Sequence, residues 1–264
     1  MDALPSLVKL TPAKLTPAKR GRGREQPPEP PRDDGTGPLL FYCSKNDGVG
    51  AGKTPLLNEA DRNECGGRSI LGNFWAFPVT VIHNGVLYDY ATSEHAYQAL
   101  KYLTLSDRFE RGSPLHLAHI RFANAIGSAA TNKGIASPYR AYLLAKLTEK
   151  KGGGLNMSAG RDTTFAASRE LQEMVRAYDA GVRAAGSQLS VEEKLGIMEK
   201  VLYAKFVNNL DLRAQKYLLS TGDRELVEHT TGDNLWGDGG DGSGSNLLGK
   251  TLMKIRAALR AGLV

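Results

Sequence analysis

The sequence predicts a mainly α fold, of the α+β kind, with a small β-hairpin or sheet. Three observations predict it. Several segments repeat apolar residues at helical spacing, one helix start is written out as a capping box, and an Asn-Gly pair stands between two β-rich runs. Glycine, at 30 of 264 residues, is plentiful and clustered, which points to irregular loops rather than further regular elements.

Residues 1–38 read as a disordered tail, rich in Pro, Lys, Arg and Gly and nearly without aromatics, unable to bury enough surface to order itself. The tail repeats TPAK at Thr11–Lys14 and Thr16–Lys19 and continues into Gly21-Arg22-Gly23-Arg24. Residues 1–32 hold seven Lys/Arg against three Asp/Glu, so +4 of the formal net charge of +6 sits there. A basic tail is implied, not a basic domain surface. Three uses remain open: a nucleic-acid arm acting by phosphate neutralisation, an organelle transit peptide, or a solvated tail without a partner.

Order is expected to begin at Leu39-Leu40-Phe41-Tyr42, a short apolar strand. A polar stretch, Ser44–Ser69, follows. Val79–Ile82 and Val86–Tyr88 flank His83-Asn84-Gly85, the favoured type I′ hairpin. Thr92 or Ser93 caps a helix running to about Leu105. Helices are also predicted over 114–126, 138–150 and 165–185. Ser190 with Glu193 forms a capping box opening a helix that buries Leu195, Met198, Leu202 and Phe206. Leu212–Leu219 is a further helix, and Leu248, Leu252, Ile255 and Leu259 stripe the last one.

The two cysteines, Cys43 and Cys65, are too few for a disulfide framework and read as reduced thiols in an intracellular compartment, the cytoplasm or nucleus, with organelle targeting left open. No apolar run approaches a membrane helix and no secretory leader is evident, so no membrane association is expected.

Asp47–Thr54 ends like a phosphate-binding P-loop. The pattern wants glycine where Asp47 stands, and Pro55 removes an N–H from the helix start, so a plain glycine-rich loop is preferred. His116 and His119 stand at i, i+3 on a helix, but no third ligand is visible. No metal and no cofactor is expected. Cys43 has no identifiable histidine partner, which speaks against a cysteine nucleophile.

Two segments carry chemistry. On a helix from Thr92, Glu94, Gln98 and Lys101 fall at i, i+4 and i+7 and share one face, suited to a polar sugar; the alternative is a solvated stripe. In Asp233–Asn246, Trp236 interrupts a Gly/Asp run that leads into the last helix. Trp236 offers a flat face and Asp238 a carboxylate. The glycines would expose backbone N–H groups to phosphate, with Asn246 as N-cap. An EF-hand calcium loop would need a ligand spacing that is absent.

Three blocks together resemble the NADAR (YbiA-like) family. They are Phe41-Tyr42 with Gly72-Asn73-Phe74-Trp75-Ala76-Phe77-Pro78; Thr92-Ser93-Glu94-His95 with Tyr97-Gln98-Ala99 and Lys101-Tyr102; and Ala204-Lys205-Phe206 through Leu226–Thr230 to Trp236–Gly239, Gly244, Asn246, Leu248-Gly249 and Leu252-Met253. The resemblance implies one compact helical YbiA-like domain over 39–264, with divergent insertions at about 44–70 and 106–190. Related domains often carry a tryptophan where Ser190 stands here, and their arginine-bearing stretch is not recognisable.

The resemblance further implies cleavage of N-glycosidic bonds: removal of ADP-ribose from modified guanine in nucleic acid or nucleotide, or hydrolysis of ribosylaminopyrimidine intermediates of riboflavin synthesis. A non-catalytic ADP-ribose or NAD-binding module is the alternative from another class. Carried over by position, Glu94 and Asp238 are the catalytic pair. Asn73, Phe74, His95, Gln98, Lys101, Trp236, Gly237, Gly239 and Asn246 bind substrate. The expected partners are an ADP-ribosyl or ribosyl nucleotide and, through the tail, nucleic acid. Because the transition state places positive charge at the anomeric carbon, Glu94 is expected to activate water or to stabilise that charge. Asp238 would orient ribose hydroxyls, water or leaving group, and Trp236 would stack on a ring.

Overall fold

The computed structural model describes residues 37–41, 70–129, 137–149 and 189–264. The basic tail, Tyr42, both cysteines, the P-loop-like stretch, the Ser44–Ser69 loop and the 165–185 helix lie outside them. Helices account for about half of the described residues, alongside two small two-stranded sheets.

Strand β1 is Leu39–Phe41. The hairpin follows as β2, Val79–His83, and β3, Val86–Tyr90, paired antiparallel with Val79 opposite Tyr90 and His83 opposite Val86. Asn84 and Gly85 both have positive φ, 49° and 78°, the geometry that a type I′ turn demands and that Asn-Gly supplies at least strain. Val79, Val81 and His83 face inward while Thr80 and Ile82 face out, the period-2 pattern of a half-buried strand.

Helix α1 spans Ser93–Ser106, capped by Thr92, whose hydroxyl accepts the His95 N–H at 3.3 Å. Helix α2, Pro114–Gly127, is capped by Ser113 and carries proline in its first turn, where no N–H is missed. Helix α3 is Pro138–Glu149. Helix α4, Val191–Phe206, opens on the expected capping box: Glu193 N–H donates to Ser190 Oγ and Ser190 N–H to the Glu193 carboxylate. Met198, Leu202 and Phe206 are buried as expected, whereas Leu195 lies at the boundary. Helix α5 is Arg213–Ser220, strand β4 Leu226–Glu228 and helix α6 Leu247–Arg260. Leu248, Leu252 and Ile255 of α6 are in the core and Leu259 packs at its margin.

Two features go beyond the sequence reading. First, β1 and β4 pair in parallel, Leu39 with Leu226 and Phe41 with Glu228, so the start of the described chain docks beside the segment feeding the glycine loop. Second, α1 is buried on nearly every side, with only Thr104 partly exposed. It packs against α2, α3, α4 and the hairpin. Tyr102 and Phe122 meet edge to face at 4.7 Å in the α1–α2 seam, and Tyr102 OH donates to the Ala145 carbonyl of α3. A helix placed so centrally holds its polar residues away from water, and each must then find a partner or a ligand. No described helix is long and apolar enough to cross a membrane.

Candidate active site

Glu94, Gln98 and Lys101 do not form a solvated stripe. Their exposures are 4%, 5% and 6%. Gln98 Nε2 donates to Glu94 Oε1 at 2.7 Å, one turn apart on α1. The Glu94 N–H, an orphan donor of the first helical turn, donates to the Asn73 carbonyl at 3.0 Å, which ties the segment before the hairpin to the carboxylate. Asn73 donates its amide to Met198 Sδ, while its Oδ1 and Gln98 Oε1 are both buried without a hydrogen-bond partner. Lys101 lies over the Tyr97 ring at 5.4 Å. Phe74, next to Asn73, meets Tyr142 of α3 at 6.2 Å, and Tyr142 stacks with exposed Tyr139 at 6.4 Å.

The tryptophan loop reaches this helix. Trp236 packs edge to face on Tyr97 with ring centroids 5.5 Å apart, so the first turns of α1 and the loop share one locality. The Asp233 carboxylate accepts the N–H groups of Leu235 and Trp236, an Asx turn that fixes the indole's backbone. Gly237 admits no side chain. A Cβ would strike Thr230 and stand 2.8 Å from the Glu228 carbonyl. Gly239, with φ of 75°, turns the chain away from Asp238.

Asp238 organises that loop. One oxygen accepts the N–H groups of Thr230 and Gly240, and the other accepts from His229 Nδ1 at 2.8 Å. Burial pushes its acidity the other way, but these donors outweigh it and hold the carboxyl below the ordinary aspartate value. His229 is thus the side-chain partner of Asp238.

Three expectations are corrected. His95 is fully buried, and its ring is spoken for on both sides. Nε2–H donates to the Ala129 carbonyl at 2.9 Å, so Nδ1 accepts from the Thr92 hydroxyl at 2.8 Å, and burial lowers its basicity in keeping with a neutral ring. The ring leaves no nitrogen for a substrate. Asn246 stands at the N-cap position of α6 but in the left-handed conformation, φ 48°, and makes no side-chain cap. Its amide instead bridges β4, accepting from Glu228 N–H at 3.0 Å and donating to the Leu226 carbonyl at 2.9 Å. The phosphate cradle is likewise closed at the helix start. The N–H groups of Gly244, Ser245, Asn246, Leu247 and Leu248 donate to carbonyls of Asp238, Asn234, Gly237, Leu235 and Trp236. Those five N–H groups are engaged by the loop's own carbonyls rather than offered to an anion.

One buried acid at the site went unread in the sequence. Glu228, the last residue of β4, has its Oε2 buried without a hydrogen-bond partner. Burial, and then the negative charges of Asp233, Glu94 and Asp238, push its carboxyl from an ordinary 4.5 up to about 8. Glu94 and Asp238 therefore each stand close enough to Glu228 for its carboxyl to feel their charge. The available signal was an acid ending a short apolar strand immediately before His229-Thr230.

His116 and His119 make no metal site. The His116 ring accepts from Gly112 N–H, and His119 donates to the Leu115 carbonyl and lies against Phe109. Among the described residues no group of three or more His, Cys, Asp or Glu could hold a metal ion.

The NADAR domain family matches residues 155–260, which take in α4, α5, β4, the tryptophan loop and α6; the Glu94 helix lies outside that span. The N-glycosidase YbiA of Escherichia coli (strain K12) is 50% identical over 70 residues, which are 26% of this chain and 41% of that protein. An N-glycosidase of Nostoc punctiforme is 43% identical over 67 residues, 25% of this chain and 42% of the relative. A riboflavin biosynthesis protein of Vibrio vulnificus is 46% identical over 67 residues, 25% of this chain and 18% of the relative. The chain thus covers less than half the length of each of these relatives. The NMR structure of E. coli YbiA aligns with a TM-score of 0.44 at 24% identity, over 86% of this chain and 88% of that one. The chain thus resembles the NADAR domain family over residues 155–260 and the N-glycosidase YbiA proteins over about 70 residues.

Proposed function

We propose that residues 39–264 form one hydrolase domain that cleaves the N-glycosidic bond of an ADP-ribosyl or ribosyl substrate, in first place the bond between ADP-ribose and a modified guanine base. The observation that carries this reading is the convergence of Glu94 with Trp236 and the Asp238 turn: a buried carboxylate and a partly open aromatic face in one locality. Glu94, steadied by Gln98, removes a proton from the attacking water or stabilises the oxocarbenium-like charge. Trp236 stacks on a ring of the substrate. Asn73 and Gln98 offer unused buried carbonyl oxygens to its hydroxyls. Asp238 contributes by holding the turn in shape. With the helix-start amides engaged, a substrate's phosphates are met by cationic side chains, of which Lys101 lies on the Glu94 helix. Relatives named as N-glycosidases support this reading.

A second reading, hydrolysis of a ribosylaminopyrimidine intermediate, is favoured by the relative named for riboflavin biosynthesis. Incubation of the chain with ADP-ribosylated guanine oligonucleotide, ribosylaminopyrimidine phosphate and NAD in parallel separates the two by which base is released. Tight ADP-ribose binding with no base released from any of them would replace both with a binding module. The basic tail supplies nucleic-acid affinity in this proposal. Removing residues 1–32 is expected to weaken oligonucleotide binding while sparing cleavage of a free nucleotide, and unchanged oligonucleotide binding would remove the tail from substrate choice.

A further inference from the structure

The glycosidase reading leaves one half of the reaction unassigned. Water needs a base, and the departing nitrogen needs a proton. Glu94 and Asp238, the two acids expected from sequence, serve the second task poorly. Asp238 is held ionised by three hydrogen bonds, and Glu94 is the carboxylate already assigned to the attacking water.

Resting on that reading, we propose that Glu228 is the general acid, its buried, unpartnered Oε2 holding the proton that the leaving base takes as the C–N bond breaks. The placement is built from both sides of the strand. Asn246 Oδ1 accepts the Glu228 N–H at 3.0 Å, the Glu228 carbonyl accepts Asp238 N–H at 2.9 Å, and Phe41 of β1 lies opposite in the parallel register. The groups around the carboxyl are Glu94 from α1 and Asp233 and Asp238 from the loop, the last paired with His229; the strand's other neighbours are the uncharged Phe41 of β1 and the uncharged Asn246, which precedes α6. Burial first, and then the three acids, push its carboxyl up to about 8, which favours the protonated form at neutral pH. Two carboxyls driven apart in acidity by their surroundings divide the work of acid and base.

The bonding electrons of the C–N bond leave with the nitrogen, which takes the Glu228 proton. Water adds its oxygen to the anomeric carbon and gives a proton to Glu94. Proton exchange with solvent then returns Glu94 to the carboxylate and Glu228 to the acid. The products are the free base and the ribose hydroxyl, with one water consumed.

The test is kcat/KM against pH, on whichever of the three substrates the wild type cleaves, for wild type and Glu228→Gln. Wild type is expected to lose activity as pH rises through about 8. The variant is expected to fall about 10²–10⁴-fold and to lose that alkaline limb. A melting curve checks that the variant folds; if it does not, the presence or absence of the wild-type limb between roughly pH 7 and 9 decides alone. A variant that keeps its rate, or keeps the limb, overturns the acid role and leaves the hydrolase reading standing. A wild type that releases no base from any substrate overturns the hydrolase reading and takes the acid role with it.

Discussion

Gln98 and Glu94, four residues apart on α1, are joined by a 2.7 Å hydrogen bond in a place from which water is nearly excluded. The bond ties one oxygen of the Glu94 carboxylate to the Gln98 amide. It also makes the amide carbonyl of Gln98 the end left for a ligand. Glu94→Gln keeps the side chain's shape and removes its charge. The expected outcome is a loss of about 10²–10⁴-fold in kcat with a melting temperature close to wild type. Full activity in a correctly folded variant takes Glu94 out of the mechanism.

Trp236 is proposed to meet the substrate on the ring surface that Tyr97 does not cover. Trp236→Ala should therefore weaken ribosyl-nucleotide binding by about 1–3 kcal/mol, the worth of one stacked base. It should also lose about 0.5–1.5 kcal/mol of stability from the edge-to-face pair with Tyr97. Calorimetric titration with ADP-ribose and a denaturant melt separate the two effects. Unchanged affinity alongside reduced stability would make the indole a packing residue only.

The elements written in the sequence are those whose signal is local. Asn84-Gly85 dictates its own turn, and Ser190 with Glu193 satisfies two helix-end donors within four residues. The parallel β1–β4 pair has no such signal: three residues are too few to show a period, and their partner lies nearly 190 positions away. Periodicity likewise placed Glu94, Gln98 and Lys101 on one face without revealing that the opposite face, too, is covered. Asn246 was legible as a residue type suited to a cap. That β4 claims its amide instead is a tertiary choice.

Asp238 gives the loop an acid-sensitive hinge point. Its carboxyl is held below the ordinary aspartate value, so its contribution to stability is complete above about pH 4 and is lost as pH falls through the depressed value. Asp238→Ala strands the N–H groups of Thr230 and Gly240 and should destabilise by about 2–6 kcal/mol, each stranded donor costing about 1–3. Asp238→Asn, which keeps one acceptor oxygen, should lose less. Chemical denaturation at pH 7 and at pH 3 checks both, and wild type and Asp238→Asn should converge at the lower pH. A constant gap between them would assign the effect to shape rather than charge.

Glu228 acts on stability in the opposite direction. Its folded-state value of about 8 lies above the ordinary 4.5, so the native state holds a proton that the unfolded chain releases. Stability from this group is full below about pH 4.5 and declines as pH rises, until the folded carboxyl itself ionises near 8, beyond which the slope vanishes. Glu228→Gln replaces the neutral acid with a neutral amide and should abolish this slope. The variant is expected to match wild type near pH 5 and to exceed it increasingly towards pH 8, measured as the difference in unfolding free energy across that window. A difference that does not vary with pH would mean that Glu228 is already ionised in the folded protein across that window, despite the crowding by Glu94, Asp233 and Asp238.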